Sequence, residues 1–304
     1  MSLPLDIQPE IAAALAQNKA VVALESTIIS HGLPFPENRA TARDIEETVR
    51  KEGAVPATIA ILDGIVKIGL GKDDLDRLSD PQMDVTKVSR RDIASVIARG
   101  GHGATTVAAT MIFAEMAGIS VFATGGIGGV HRGAETDFDI SADLPELAQT
   151  NVAVISAGPK AILDLALTME YLETAGVPVI GYQTNELPAF WSRHSGIMLH
   201  DRADSAEDIA AIMKIKWQAG LKGGLLIANP VPEDSDIPAD DLKAVIDKAL
   251  ATAFEKGISG KAVTPFLLDC IRQDTMGRSL ITNQALVMNN ALVAAKIAKA
   301  YAQL

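Results

Sequence analysis

The sequence predicts an α/β protein, a three-layer α/β/α arrangement around a mixed, largely parallel central sheet. Three observations carry this. Short runs of β-branched and aliphatic residues recur along the chain. They alternate with longer segments whose apolar residues fall at helical spacing, the pattern of β–α–β units. The step Asp63-Gly64 between two of the short runs is a tight hairpin signal, which adds an antiparallel pair.

The elements follow in order. Residues 7–18 read as a first helix and 21–24 as a first buried strand. That strand ends on Glu25-Ser26-Thr27, and the ends of buried strands are where α/β proteins place chemistry. Residues 30–36 read as a proline-punctuated loop and 37–52 as a helix. Residues 58–62 and 65–69 are the arms of the hairpin. A helix is expected over 72–77, a short strand at 87–89 and a helix over 92–99. Residues 100–103 read as a flexible loop. The Ala-rich segment 106–117 reads as a helix packed on most sides. Strand 120–124 leads directly into the glycine cluster 125–129. A strand over 152–156, a helix over 160–174 and a strand over 177–181 come next. A helix over 206–219 and a strand over 224–229 lead into an acidic loop at 230–238. Helices over 240–256 and 283–301 complete the chain. No composition shift marks a linker, so residues 1–304 are expected to form one domain.

Composition narrows the function. Of 304 residues, 48% are hydrophobic but only 4% aromatic, so Ala, Val, Ile and Leu must fill the core. The net charge of −11 is spread along the chain, which argues against a polymeric nucleic-acid partner. It leaves room for a small anionic substrate held by local donors. One cysteine, Cys270, excludes an intrachain disulfide framework; its apolar setting reads as a core position rather than a catalytic thiol. The opening residues lack the features of a signal peptide, and no stretch has the length of a membrane helix. A cytoplasmic protein that does not enter the membrane is the resulting expectation.

Several residues could carry chemistry. The cluster Gly125-Gly126-Ile127-Gly128-Gly129 ends in Val130-His131, so it fails the dinucleotide fingerprint. It reads either as a close-approach or anion-binding loop or as a purely structural turn. The run 137–141 begins like a calcium loop but lacks the required Gly and closing Glu; a magnesium or manganese site needs fewer carboxylates and stays open. Lys160 follows a strand and turn and precedes an apolar segment. Desolvation there would expose the amine lone pair, whereas a snorkelling surface lysine is the plainer alternative. Glu25 reads equally as a site acid or a turn acid. Lys87, with Ser89, Arg90 and Arg91, makes a basic patch in an acidic chain. His31, His102 and His131 sit beside glycines without zinc-binding spacing; His194 and His200 fall in an expected exposed loop.

Taken in order, several motifs resemble the pseudouridine-5′-phosphate glycosidases, the indigoidine synthase A family. They include Ala23-Leu24-Glu25-Ser26-Thr27-Ile28-Ile29-Ser30-His31-Gly32, Lys87-Val88-Ser89-Arg90-Arg91-Asp92 and Gly103-Ala104-Thr105-Thr106-Val107-Ala108. Phe122 to Gly133, Asp139-Ile140-Ser141-Ala142-Asp143-Leu144 and Ser156-Ala157-Gly158-Pro159-Lys160-Ala161-Ile162-Leu163-Asp164 continue the series, and Thr264-Pro265-Phe266-Leu267-Leu268 and Asn289-Asn290-Ala291 extend it. Pro159 departs from the small residue expected there and should stiffen the turn before Lys160.

The resemblance implies reversible cleavage of pseudouridine 5′-phosphate to uracil and ribose 5-phosphate, with a divalent metal, usually Mn2+, in a homotrimer. It implies Lys160 as nucleophile and Glu25 as proton donor. Lys87, Val107, Ser141, Ala142 and Asp143 match substrate-binding positions, and Asp139 the metal site. His131 and Asn283 are looser candidates at the site's edge. A carbon–carbon glycosidic bond offers no leaving-atom lone pair to protonate. An amine at C1′ of the opened sugar, with an acid nearby, supplies the missing push and proton. Two other readings stay open on residues alone: a Schiff-base aldolase for a sugar phosphate, and a non-catalytic nucleotide-binding protein.

Overall fold

A computed structural model describes residues 3, 5–258 and 263–304 of the chain. Met1, Ser2 and Pro4, part of the opening read as lacking a leader, lie outside the described residues. The strands are β1 (Leu5–Ile7), β2 (Val21–Leu24), β3 (Val55–Leu62), β4 (Ile65–Ile68), β5 (Thr86–Val88), β6 (Gly103–Thr105), β7 (Val121–Ala123), β8 (Ala153–Ser156), β9 (Val179–Tyr182), β10 (Asp201–Ala203) and β11 (Leu225–Ala228). The central order is β1-β4-β3-β2-β7-β8-β11-β9-β10, with β6 paired to β3 and β5 to β6. Among the strand pairs of the described residues, only β3–β4 and β3–β6 are antiparallel. The sheet is therefore mixed and largely parallel, as the sequence predicts.

Strand alternation decides the layers. Successive side chains point to opposite faces, so Val22 and Leu24 enter one core while Val21 and Ala23 enter the other. The first core is covered by α2 (Glu37–Lys51), α9 (Ala206–Gln218), α10 (Ala239–Glu255) and α12 (Arg278–Ala302). The second is covered by α1 (Pro9–Ala16), α5 (Val107–Ala117), α7 (Asp143–Leu147) and α8 (Leu165–Thr174). Helix α5 buries Val107 through Met111, with Phe113 and Ala114, which accounts for its low polarity. Smaller helices are α3 (Lys72–Ser79), α4 (Ile93–Ala98), α6 (Ala134–Asp137) and α11 (Val263–Asp274). No helix among the described residues is long and apolar enough to cross a membrane.

Several expectations change. The helix expected from Lys160 begins only at Leu165, because residues 159–164 lie along the glycine cluster. Lys160 N donates to the Ile127 carbonyl (3.1 Å) and Asp164 N to that of Val130 (2.9 Å). The Asp164 side chain then caps the helix by accepting from Leu167 N. The loop expected at 100–103 ends in strand β6, and the exposed loop around His200 runs into strand β10; neither three-residue strand is long enough to show periodicity. Helix α12 starts five residues before Asn283, which moves that residue from a helix end to its second turn. Strand β1 and helices α6, α7 and α11 were not foreseen.

Candidate active site

The connections place the site. From β2 the chain moves to β3 on one side; from β7 it moves to β8 on the other. The carboxyl ends of β2 and β7 therefore flank a switch point, where parallel sheets open a crevice for ligands. Glu25 leaves β2 there, Thr124 leaves β7 beside it, and Lys160 follows β8 by four residues. Thr124 Oγ1 donates a short hydrogen bond to Glu25 Oε1 across the crevice.

The crevice has two lobes. One is walled by Leu33, Phe190, Leu268 and Leu286, with His31 and Asn283 beside them. The other is lined by Arg90, Arg91, His131, Asp139 and Ser141, with the first turn of α5 at Val107. Glu25, Thr27, Lys87, Lys160 and Thr264 line both and form the waist. Of the residues expected at the site, Lys87, Val107, His131, Asp139, Ser141, Ala142 and Asp143 line the polar lobe with Glu25 and Lys160. Asn283 lies in the apolar lobe.

Electrostatics separate the roles. Burial pushes the Glu25 carboxyl above the usual carboxylate range, with Asp143 adding to the shift. Lys160, the Thr124 hydrogen bond and Lys87 oppose it without reversing it. Glu25 is thus biased toward its protonated form close to a cation. Among the described residues no hydrogen bond or ion pair engages Lys160 Nζ. Burial lowers the His131 imidazole, and Lys160 and Lys87 lower it further, while Asp139 pulls the other way. His131 Nδ1 stands 3.9 Å from Asp139 Oδ2.

Asp143 is held differently. It is 6% exposed, its Oδ1 accepts from Ala108 N at 2.9 Å, and its Oδ2 accepts from Gly128 N at 2.8 Å. One carboxylate thereby ties the start of α5 to the glycine cluster. The cluster is shaped by close approach. A Cβ on Gly128 would lie 2.6 Å from Ser141 Cβ and 2.8 Å from Asp143 Oδ2; one on Gly126 would lie 2.6 Å from the Phe190 ring.

Sequence reasoning did not single out Arg90 and Arg91 separately from Lys87, nor Phe190, Thr264 or His31, as site residues. Thr264 and Phe190 reach the cleft from distant segments, and no local pattern marks them. His31 carried a signal, a polar residue within a few positions of a buried strand's end.

An acid and an amine at the waist of a cleft above a parallel switch point define an α/β enzyme for a small substrate. The match to known proteins extends over the whole chain. Residues 10–300 match the family model described as indigoidine synthase A like protein. The pseudouridine-5′-phosphate glycosidase of Escherichia coli (strain K12) is 59% identical over 300 residues, covering 99% of this chain and 96% of that protein. That of Geobacillus kaustophilus is 59% identical over 290 residues, covering 95% and 96%. The prealnumycin C-glycosynthase AlnA, solved in complex with ribulose 5-phosphate, superposes with a TM-score of 0.92 at 40% identity, covering 100% of this chain and 98% of that one. An indigoidine synthase A-like protein from Thermotoga maritima gives 0.89 at 36% identity, covering 98% and 96%. The chain belongs to the indigoidine synthase A like family.

Proposed function

We propose that this enzyme reversibly cleaves the carbon–carbon glycosidic bond of pseudouridine 5′-phosphate, giving uracil and ribose 5-phosphate. One observation carries the reading: Glu25 and Lys160 stand at the waist between an apolar lobe suited to a flat ring and a polar lobe rimmed by cations. Full-length relatives bear the name of this activity. A structural neighbour that handles C-glycosides holds a pentose phosphate.

Lys160 Nζ adds to C1′ of the sugar, and the ring oxygen leaves and takes up a proton. The nitrogen lone pair then forms a C=N bond while the C1′–C5 bond to uracil breaks. The electron pair stays on the uracil carbon, which takes a proton from Glu25, the group whose burial keeps a proton available. Water adds to the imine carbon, the Lys160–C1′ bond breaks, and ribose 5-phosphate departs. Phosphate binding by Lys87, the α5 start at Val107 and the stretch Ser141, Ala142 and Asp143 supplies orientation. In that stretch Asp143 acts by holding the backbone around the ligand.

A divalent cation, Mn2+ first among them, is the cofactor this reading calls for. Among the described residues no three His, Cys, Asp or Glu side chains gather to cage an ion. Asp139, with His131 beside it, fits an ion held by one carboxylate and completed by water and substrate oxygens. Such an ion would neutralise phosphate charge. A homotrimer of single-domain chains in the cytoplasm completes the proposal; light scattering of the purified chain tests the assembly.

The test is uracil release from pseudouridine 5′-phosphate with Mn2+, for wild type and Lys160→Ala. Release by wild type alone supports substrate and nucleophile. Release by both removes Lys160 from the chemistry. No release by folded wild type sinks the glycosidase and favours a Schiff-base aldolase.

A further inference from the structure

We infer that Asn290 is a positioning residue for the acid: from the middle of α12 its amide holds the carbonyls of Thr124 and Gly125, fixing the end of β7 so that the Thr124 hydroxyl stays on Glu25. The inference rests on the glycosidase reading and extends it to a residue that lines neither lobe of the cleft.

An asparagine at this place in the helix needs a reason. Asn290 is fully buried, and its neighbours on the same face, Leu286, Val287, Ala291 and Ala294, are apolar. A buried amide costs stability unless it is hydrogen-bonded. Asn290 Nδ2 donates to the Thr124 carbonyl at 2.8 Å and to that of Gly125 at 3.3 Å. Backbone carbonyls only accept, so the NH2 edge must face them and Oδ1 must face away. Oδ1 accepts from Asn229 Nδ2 at 2.8 Å. Asn229 follows β11 and is itself tied to β8, its backbone N–H donating to the Ser156 carbonyl at 2.8 Å. The two amides thus join β11 to β7, strands that β8 separates in the sheet.

The reach to the chemistry is short. Strand β7 ends at Ala123, one residue earlier. Thr124 N–H still donates to the Ile155 carbonyl at 3.0 Å, but the Thr124 carbonyl has no backbone donor among the described residues. Thr124 is fully buried, so without Asn290 that carbonyl is stranded and the peptide that carries it turns toward a new donor. Turning it displaces the Thr124 side chain, whose Oγ1 donates to Glu25 Oε1. Around Glu25 stand Lys160, Asp143 and Lys87. Burial raises the carboxyl's pKa most and Asp143 adds to that, while Lys160, the Thr124 hydrogen bond and Lys87 lower it. The hydroxyl is the neutral member of that set, and its place depends on Asn290. Losing it disfavours the carboxylate form, so the pKa of Glu25 rises further.

The test is the pH dependence of uracil release with Mn2+ present, for wild type, Asn290→Leu, Thr124→Val and the double variant. Asn290→Leu is expected to lower kcat about ten- to hundredfold, with the KM for pseudouridine 5′-phosphate within about twofold of wild type. Its alkaline limb should move up by about 0.5–1 on the pH scale, the worth of one hydrogen bond. Thr124→Val should move the limb by the same amount, and the double variant no further. A limb left in place in Asn290→Leu, even with a lower Tm, reduces Asn290 to a packing residue and overturns the assignment. Shifts that add in the double variant overturn it as well. If Asn290→Leu does not fold, Asn229→Ala, which removes the amide that orients Asn290, should move the limb in the same direction; an unmoved limb there overturns the assignment too. Carbon-13 spectra of the Glu25 carboxyl, recognised by its absence in Glu25→Gln, read the same titration without turnover. Inactive wild type sinks the glycosidase reading, while the carbon-13 titration still decides whether Asn290 governs Glu25. Active wild type with an unmoved limb in the variants sinks only the role of Asn290.

Discussion

Arg90 and Glu146 form a two-pronged ion pair beneath the polar lobe: Nε donates at 2.6 Å and Nη2 at 2.9 Å to the two carboxylate oxygens. Glu146 is fully buried, whereas Arg90 is about half exposed at the cleft. Thr150 also donates to Glu146. Removing the arginine strands a buried carboxylate, and that penalty exceeds the worth of the pair itself. Arg90→Ala should cost about 1–3 kcal/mol of stability, read in urea melts. The double variant Arg90→Leu/Glu146→Leu should recover part of the loss, since no charge is then left buried.

Glu25→Gln should lower kcat for uracil release by about 10²–10⁴-fold, the range for a positioned general acid. The sign with pH follows from burial, which raises the carboxyl's pKa. The protonated form is the working one, so wild-type activity should fall as pH rises through that raised value. The alkaline limb assigned to Glu25 should vanish in Glu25→Gln. A pH–rate profile that keeps the same limb removes Glu25 from this role.

Glu46 gives a stability test away from the cleft. It accepts a hydrogen bond from the buried Thr58, and burial, its largest influence, raises its pKa despite Thr58 and Arg50. A carboxyl whose folded pKa lies above its unfolded value contributes full stability below the unfolded pKa. That contribution is lost as pH rises through the folded pKa. Glu46→Gln should therefore raise Tm by about 1–3 °C near pH 8, with the gain vanishing near pH 4. Scanning calorimetry at both pH values checks it.

Asp143→Asn tests the bridge between α5 and the glycine cluster. Two backbone N–H groups face the carboxylate, and an amide can accept from only one of them while pointing its NH2 at the other. The variant should lose about 1–3 kcal/mol of stability. It should also raise the substrate KM without removing Lys160 trapping by borohydride.

Asp139→Ala should raise the Mn2+ concentration needed for half-maximal activity by at least about tenfold, with little change in Tm in metal-free buffer, since Asp139 is 43% exposed. Equal metal titrations of variant and wild type would move the ion elsewhere.

The fold class, most helix–strand alternation and the hairpin at Asp63-Gly64 were legible in the sequence, because β-branched runs, helical spacing and a two-residue turn are local signals. The motifs around Glu25, Lys87, Asp139 and Lys160 were legible as a set through family resemblance. Tertiary structure decided what local pattern could not carry. Lys160 is held off the helix because residues 159–164 hydrogen-bond along the glycine cluster, a contact between segments some thirty residues apart. The sheet order opens its crevice between β2 and β7, and neither strand's residues encode that adjacency. Asn283 acquires an oriented amide only because Trp191 fixes its oxygen. Residue types set the chemistry available; which atoms remain unpaired and face the cleft is settled when distant segments satisfy one another's hydrogen bonds.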